Sequence, residues 1–126
     1  MRTLLRSALI IAVLLVAASY AVAAQDKDQK RREATLRTVR GETVDKDENP
    51  VESAVVHLKN LKSTAVVTHI SDKDGKFRFS GLDPNVDYEV HAEKDEKISN
   101  KRSISSFDSR KEFVVHLKLD KKRESN

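Results

Sequence analysis

Residues 72–88 read D-K-D-G-K-F-R-F-S-G-L-D-P-N-V-D-Y, two turns enclosing one short strand. The side chains of Asp72 and Asp74 accept hydrogen bonds from backbone N–H groups just ahead. Gly75 takes positive φ without a Cβ clash, so 72–75 is expected to turn. Lys76 to Ser80 alternates polar and aromatic residues. A period of two places Phe77 and Phe79 on one face and Lys76, Arg78 and Ser80 on the other. Gly81 is expected to end that strand, with Leu82 tucked back beneath the sheet. Asp83-Pro84-Asn85 is a second turn, because Pro84 presets φ near −65°. Tyr88, Val90 and Ala92 then alternate with Glu89, His91 and Glu93. The unit is hairpin-like, with one dry face and one wet face.

The same alternation recurs on both sides of this unit. Residues 36–44 form a strand with Val39, Gly41 and Thr43 on one face, and Gly41 signals a close backbone approach or a bulge. Asp45 to Pro50 is a turn by composition. In 53–61, Ala54, Val56 and Leu58 are expected inward, with Val55, His57 and Lys59 outward. Residues 64–71 form a β-branched strand that admits two facings. Val66/Thr68/Ile70 is preferred inward over Ala65/Val67/His69 because it keeps His69 out of the core. A sixth strand at 103–107 rests on Ile104. The clearest strand, 111–119, turns Phe113, Val115, Leu117 and Leu119 inward and Val114, His116 and Lys118 outward. No stretch beyond residue 24 sustains a 3.6-residue period. Seven short strands separated by turns predict an all-β sandwich.

The ends are of a different kind. Arg2 and Arg6 precede an apolar run at 8–18 and the small residues 21–24. This is the layout of a secretory signal peptide, expected to be helical and to be cleaved near Ala24. The run is shorter than the roughly 20 residues of a comfortable membrane span. The predicted division is signal peptide 1–24, disordered lead-in 25–34, β-sandwich 35–120 and disordered tail 121–126. For the lead-in, a frayed helical turn is the alternative. Secretion or delivery to a periplasm is expected, with membrane contact only through the leader during export.

Cleavage removes two arginines and no acid, taking the net charge from +4 to +2. The remaining basic excess sits in the tails, so nucleic acid is not an expected partner. The chain has no cysteine, hence neither a disulfide framework nor an acylated anchor. About 100 residues suffice to fold by burial alone.

His57, His91 and His116 all point outward, and adjoining strands would gather them into a zinc or copper site. No H-x-H or H-x₃-H pair sets a ligand spacing, so exposed strand histidines are the preferred reading and no metal or cofactor is assigned. Asp45-x-Asp47-x-Asn49 and Asp72-x-Asp74-Gly75 resemble the start of a calcium loop but lack its sixth-position glycine and closing glutamate. There is no nucleophile elbow and no phosphate-cradling glycine loop, so no catalytic residue is assigned. Sugar binding by stacking has little to use: no Trp, and Phe107 as the one aromatic expected to be exposed.

Taken together, V-R-G-E-T-V-D (39–45), N-P-V-E-S-A-V-V-H-L (49–58), S-D-K-D-G-K-F-R-F-S-G-L-D-P (71–84), Y-E-V-H-A (88–92) and V-V-H-L-K-L (114–119) resemble the carboxypeptidase regulatory-like domain. The positions that carry the resemblance are Gly41, Asp45, Pro50, Ala54, Asp72, Asp74, Gly75, Phe77, Phe79, Leu82 and Tyr88. Asn49 stands where the family often has Gly, and Asn85 or Val86 where a Gly usually precedes the Tyr. The resemblance implies a seven-stranded Greek-key sandwich, similar in fold to transthyretin and starch-binding-like modules. It also implies a non-enzymatic accessory or binding module. A protein partner is the leading expectation, a glycan or other small ligand the alternative, and a histidine-bound metal the third.

Overall fold

A computed structural model describes residues 27–31 and 34–124. The predicted signal peptide lies outside the described residues. In place of a structureless lead-in, 27–31 is a short exposed helical run. The fold itself is carried from Thr35 onward.

Among the described residues nine strands follow one another: β1 (Arg37–Asp45), β2 (Val55–Asn60), β3 (Val66–Ile70), β4 (Lys76–Leu82), β5 (Tyr88–Lys94), β6 (Lys97–Ile98), β7 (Arg102–Ile104), β8 (Glu112–Leu119) and β9 (Lys121–Lys122). They form two sheets. One has the order β4-β1-β8; the other runs β3-β2-β5-β6-β9, with β7 also paired to β5. The inner faces meet in a single cluster. Val39, Phe77, Phe79, Leu82, Phe113, Val115, Leu117 and Leu119 come from the first sheet. Val56, Leu58, Tyr88, Val90, Ala92 and Ile104 come from the second. The all-β sandwich expected from the alternation is present.

β1 is the centre of the small sheet. It runs antiparallel to β4, pairing Gly41 with Phe77, and parallel to β8, pairing Gly41 with Val115. A Cβ built on Gly41 lies 1.8 Å from the Val115 carbonyl oxygen. Glycine is therefore required by close backbone approach.

The turns run on aspartate. Asp45 Oδ1 accepts the backbone N–H groups of Asp47 and Asn49, both at 2.9 Å. Asp72 Oδ1 accepts those of Asp74 at 2.9 Å and Lys76 at 2.8 Å. Gly75 sits at φ 72°. In the 45–50 turn the positive φ falls on Glu48, at 65°, and not on Asn49. Two buried hydroxyls tie the sheets to the connection between β1 and β2: Thr43 Oγ1 donates to the Val51 carbonyl at 2.7 Å and Ser71 Oγ to the same oxygen at 2.8 Å.

Several expectations are corrected. β4 does not stop at Gly81 but runs on to Leu82. Its register against β1 slips between Arg37 and Val39, and Gly81 takes φ 71°, so the glycine makes a bulge inside the strand. The sixth strand ends at Ile104, and 105–108 is a turn. There the buried Arg37 guanidinium donates to the carbonyls of Ser105, Ser106 and Asp108. The chain beyond 120 is not all solvated tail, because Lys121 and Lys122 pair with Ile98 and Lys97.

β3 faces the other way from the expectation. Val56 pairs with His69 and Leu58 with Val67, and directly paired residues share a face. Val67 and His69 therefore share the inner face with the buried Val56 and Leu58. An inward His69 in a closed core would be desolvated at a cost. That cost does not arise, because β3 overhangs the narrower sheet and His69 stays exposed while meeting Phe79 edge-on, ring centroids 6.0 Å apart.

Gly41→Ala should lower stability by at least about 3 kcal/mol in urea unfolding, since overpacking against a backbone carbonyl has no side chain to yield. Val114→Ala, at an exposed position on the neighbouring strand, should change it by less than about 0.5 kcal/mol.

Candidate functional site

β2 and β5 are antiparallel with His57 directly opposite His91, and Glu93 opposite Val55. All four side chains therefore share the outer face of the large sheet. The imidazoles of His57 and His91 stack, with centroids 4.7 Å apart and planes within 9°. Glu93 reaches both. Its Oε1 lies 3.2 Å from His91 Nε2 and its Oε2 lies 3.6 Å from His57 Nε2. The first is a hydrogen bond; the second is too long to be one. His57 Nε2 is buried without a hydrogen-bond partner. Arg123 Nη1 sits 3.4 Å from Glu93 Oε2. The donor atoms of His57, His91 and Glu93 all lie within 4.8 Å of one another, so these three side chains can hold one metal ion.

Burial lowers the pKa of His57, the neighbouring His91 lowers it further, and Glu93 opposes both. His57 and Glu93 are accordingly not an ion pair at neutral pH. Burial raises the pKa of the Glu93 carboxyl, but the His91 hydrogen bond and the charges of His57, His91 and Arg123 outweigh it and hold the group below the ordinary value.

The third expected histidine is elsewhere. His116 lies on β8 in the small sheet, with Nε2 2.8 Å from Glu48 Oε2 and Nδ1 3.3 Å from Glu42 Oε1. Lys118 Nζ is 3.1 Å from Glu48 and Lys76 Nζ 3.2 Å from Glu42. Those lysines are the leading cause of the lowered pKa of each carboxylate. Asp45 and Asp72 hold their own turns, and Phe107 is 96% exposed in the turn after β7. Glu93 was missed by sequence reasoning. The signal was the His91-x-Glu93 spacing, which puts both residues on one face of a strand.

The other feature is the outer edge of β3, which pairs with no strand among the described residues. Asn60 N–H donates to the Ala65 carbonyl at 2.8 Å, and Ser71 N–H to the Ala54 carbonyl at 2.9 Å. Bonded and non-bonded pairs alternate between those two points. The backbone N–H and C=O groups of Val66, Thr68 and Ile70 therefore point away from β2, towards the open edge. Val66, Val67 and Ile70 are 52%, 58% and 54% exposed. The other strands at sheet margins carry charge: Lys76 and Arg78 on β4, Arg102 on β7, Glu112 and Lys118 on β8, Lys121 and Lys122 on β9. Among the described sheet margins, β3 alone has no Lys, Arg, Asp, Glu or Pro.

The carboxypeptidase regulatory-like domain matches residues 38–119, well over half of the sequence. The chain belongs to the carboxypeptidase regulatory-like domain family. This is a non-catalytic domain type, and its match covers β1 through β8. Among solved structures, a streptococcal ancillary pilin is similar at a TM-score of 0.53 and 14% identity, over 70% of this chain and 33% of the pilin. The Bacillus anthracis TIE protein is similar at 0.50 and 12%, over 68% of this chain and 16% of that one. At these identities the likeness is one of fold, and this chain spans a third or less of either neighbour. No curated protein matches the sequence.

The lowered pKa of His57 has a direct consequence. Unfolded, the ring takes up a proton near its ordinary value of 6.5; folded, it resists until lower pH. Stability is therefore full above about pH 6.5 and is lost as pH falls through it. The melting temperature should drop between about pH 7.5 and 5.5, and His57→Gln should flatten that drop.

Proposed function

We propose that the protein is an exported, non-enzymatic accessory module that binds an extended segment of another protein along the open edge of β3. The observation that carries this reading is the uncharged, half-exposed margin Val66–Ile70. Natural sheets protect their edges with charge, proline or bulges, because unpaired N–H and C=O groups recruit further strands. An added strand gains main-chain hydrogen bonds from Val66, Thr68 and Ile70, while their side chains offer an apolar surface for specificity. Export is supported by the leader-like sequence at 1–24. A surface or accessory role is supported by family membership and agrees with the fold shared with an ancillary pilin. A glycan reading has only the isolated Phe107 as a stacking platform.

A photo-crosslinking residue placed at 66 on β3 should trap a partner in extracts of the source cells, while one at 78 on β4 should not. Thr68→Pro should abolish the crosslink while leaving the melting temperature within a few degrees, because the N–H it removes serves only the edge. Equal crosslinking from β3 and β4, or crosslinking that survives the proline, overturns the reading.

A further inference from the structure

The geometry points to a second binding site on a different surface: we infer that His57, His91 and Glu93 bind a single zinc-class divalent cation on the outer face of the large sheet. Three features support it. The ligand set is two imidazoles and one carboxylate with no thiolate, which suits zinc and its neighbours and not calcium or magnesium. The donors come from two hydrogen-bonded strands, so the backbone fixes their relative position before any ion arrives. Four donors arranged tetrahedrally at zinc's bond lengths lie about 3.4 Å apart. The ring nitrogens lie 3.2 Å (His91) and 3.6 Å (His57) from the two different oxygens of Glu93, and all the donor atoms fall within 4.8 Å of one another, so side-chain rotation can bring one donor from each residue to that spacing.

The buried Nε2 of His57 supplies the independent sign. A polar atom removed from water and left without a partner carries a free-energy cost. Coordination turns that cost into a bond. Binding requires two adjustments. The imidazoles now lie parallel, and a single ion cannot lie in both ring planes, so one ring must turn. For histidine this is rotation about χ2, a broad torsion. Arg123 must also leave Glu93, whose Oε2 it approaches at 3.4 Å. The guanidinium is then a resident cation in competition with the metal. A pocket of about 390 Å³ bordered by Ser53, Asp95 and Arg123 opens onto His57 and Glu93. It provides the entry path and room for a solvent molecule as fourth ligand. His116 is not part of the site, since it lies on β8 in the other sheet and pairs with Glu42 of β1 and Glu48 of the 45–50 turn.

The test is calorimetric titration of the purified protein with zinc chloride, with His57→Gln, Glu93→Gln, Arg123→Gln and His116→Gln in parallel. One zinc per chain is expected. Loss of a hydrogen-bond partner of a ligand already weakens metal binding about 10- to 100-fold, so loss of a ligand itself should cost at least tenfold. Arg123→Gln should bind more tightly than wild type, and His116→Gln should match it. On the unaltered protein, zinc should shift the imidazole nitrogen resonances of His57 and His91 and leave those of His116 in place. This arm decides the matter even if a ligand variant fails to fold. No binding by wild type, binding that moves His116 instead, or undiminished binding by folded His57→Gln and Glu93→Gln each overturns the inference.

Discussion

Everything in the small sheet depends on β1 having both of its edges filled, and that depends on Gly41. The backbone of β8 passes so near this residue that a single methyl group would occupy the Val115 carbonyl. With the glycine in place, Val39 and Thr43 lie buried, and Phe77 and Val115 flank Gly41 on β4 and β8. The aromatic pair Phe77 and Phe79, ring centroids 6.1 Å apart, then closes over the residues of β2 and β5. The small sheet is only three strands wide while the large one has six. That inequality leaves β3 without a cover. On β2 and β5 the inner face is buried in the core, and the polar side chains of His57, His91 and Glu93 lie half-buried on the outer face.

Much of this was readable from alternation. Phe77/Phe79, Tyr88/Val90/Ala92 and Phe113/Val115/Leu117/Leu119 each declare an inner face, because a residue misplaced by one would expose a whole row. The turns were readable too, since aspartate and glycine have few other reasons to cluster as they do at 72–75. What escaped reading had a physical reason. β6 and β9 are two residues each, too short for any period to register. Gly81 is ambiguous because a lone glycine signals a break or a bulge alike. The facing of β3 is not legible because the burial cost of His69 depends on whether a second sheet covers it, and His69 stays exposed. The His57–His91–Glu93 group depends on strand order and register, which pair residues 34 positions apart; only the His91-x-Glu93 spacing is local, and it says nothing of His57.

The two candidate surfaces differ in kind. The β3 margin is a row of main-chain groups at Val66, Thr68 and Ile70 flanked by mostly apolar side chains. The histidine–glutamate group is a point arrangement of three polar side chains set by one register. They share β2, which pairs with β3 on one side and with β5 on the other. Each is nevertheless defined by separate side chains, so a change at one need not alter the other.

The parallel pairing of β1 with β8 runs from Thr38 and Glu112 to Asp45 and Leu119, joining segments more than 70 positions apart. During synthesis, which proceeds from the N-terminus, β1 has no permanent neighbour on that side until the last long strand has emerged. Closing so long a loop is a slow, entropically costly step. The chain should therefore remain loose until very late in its emergence.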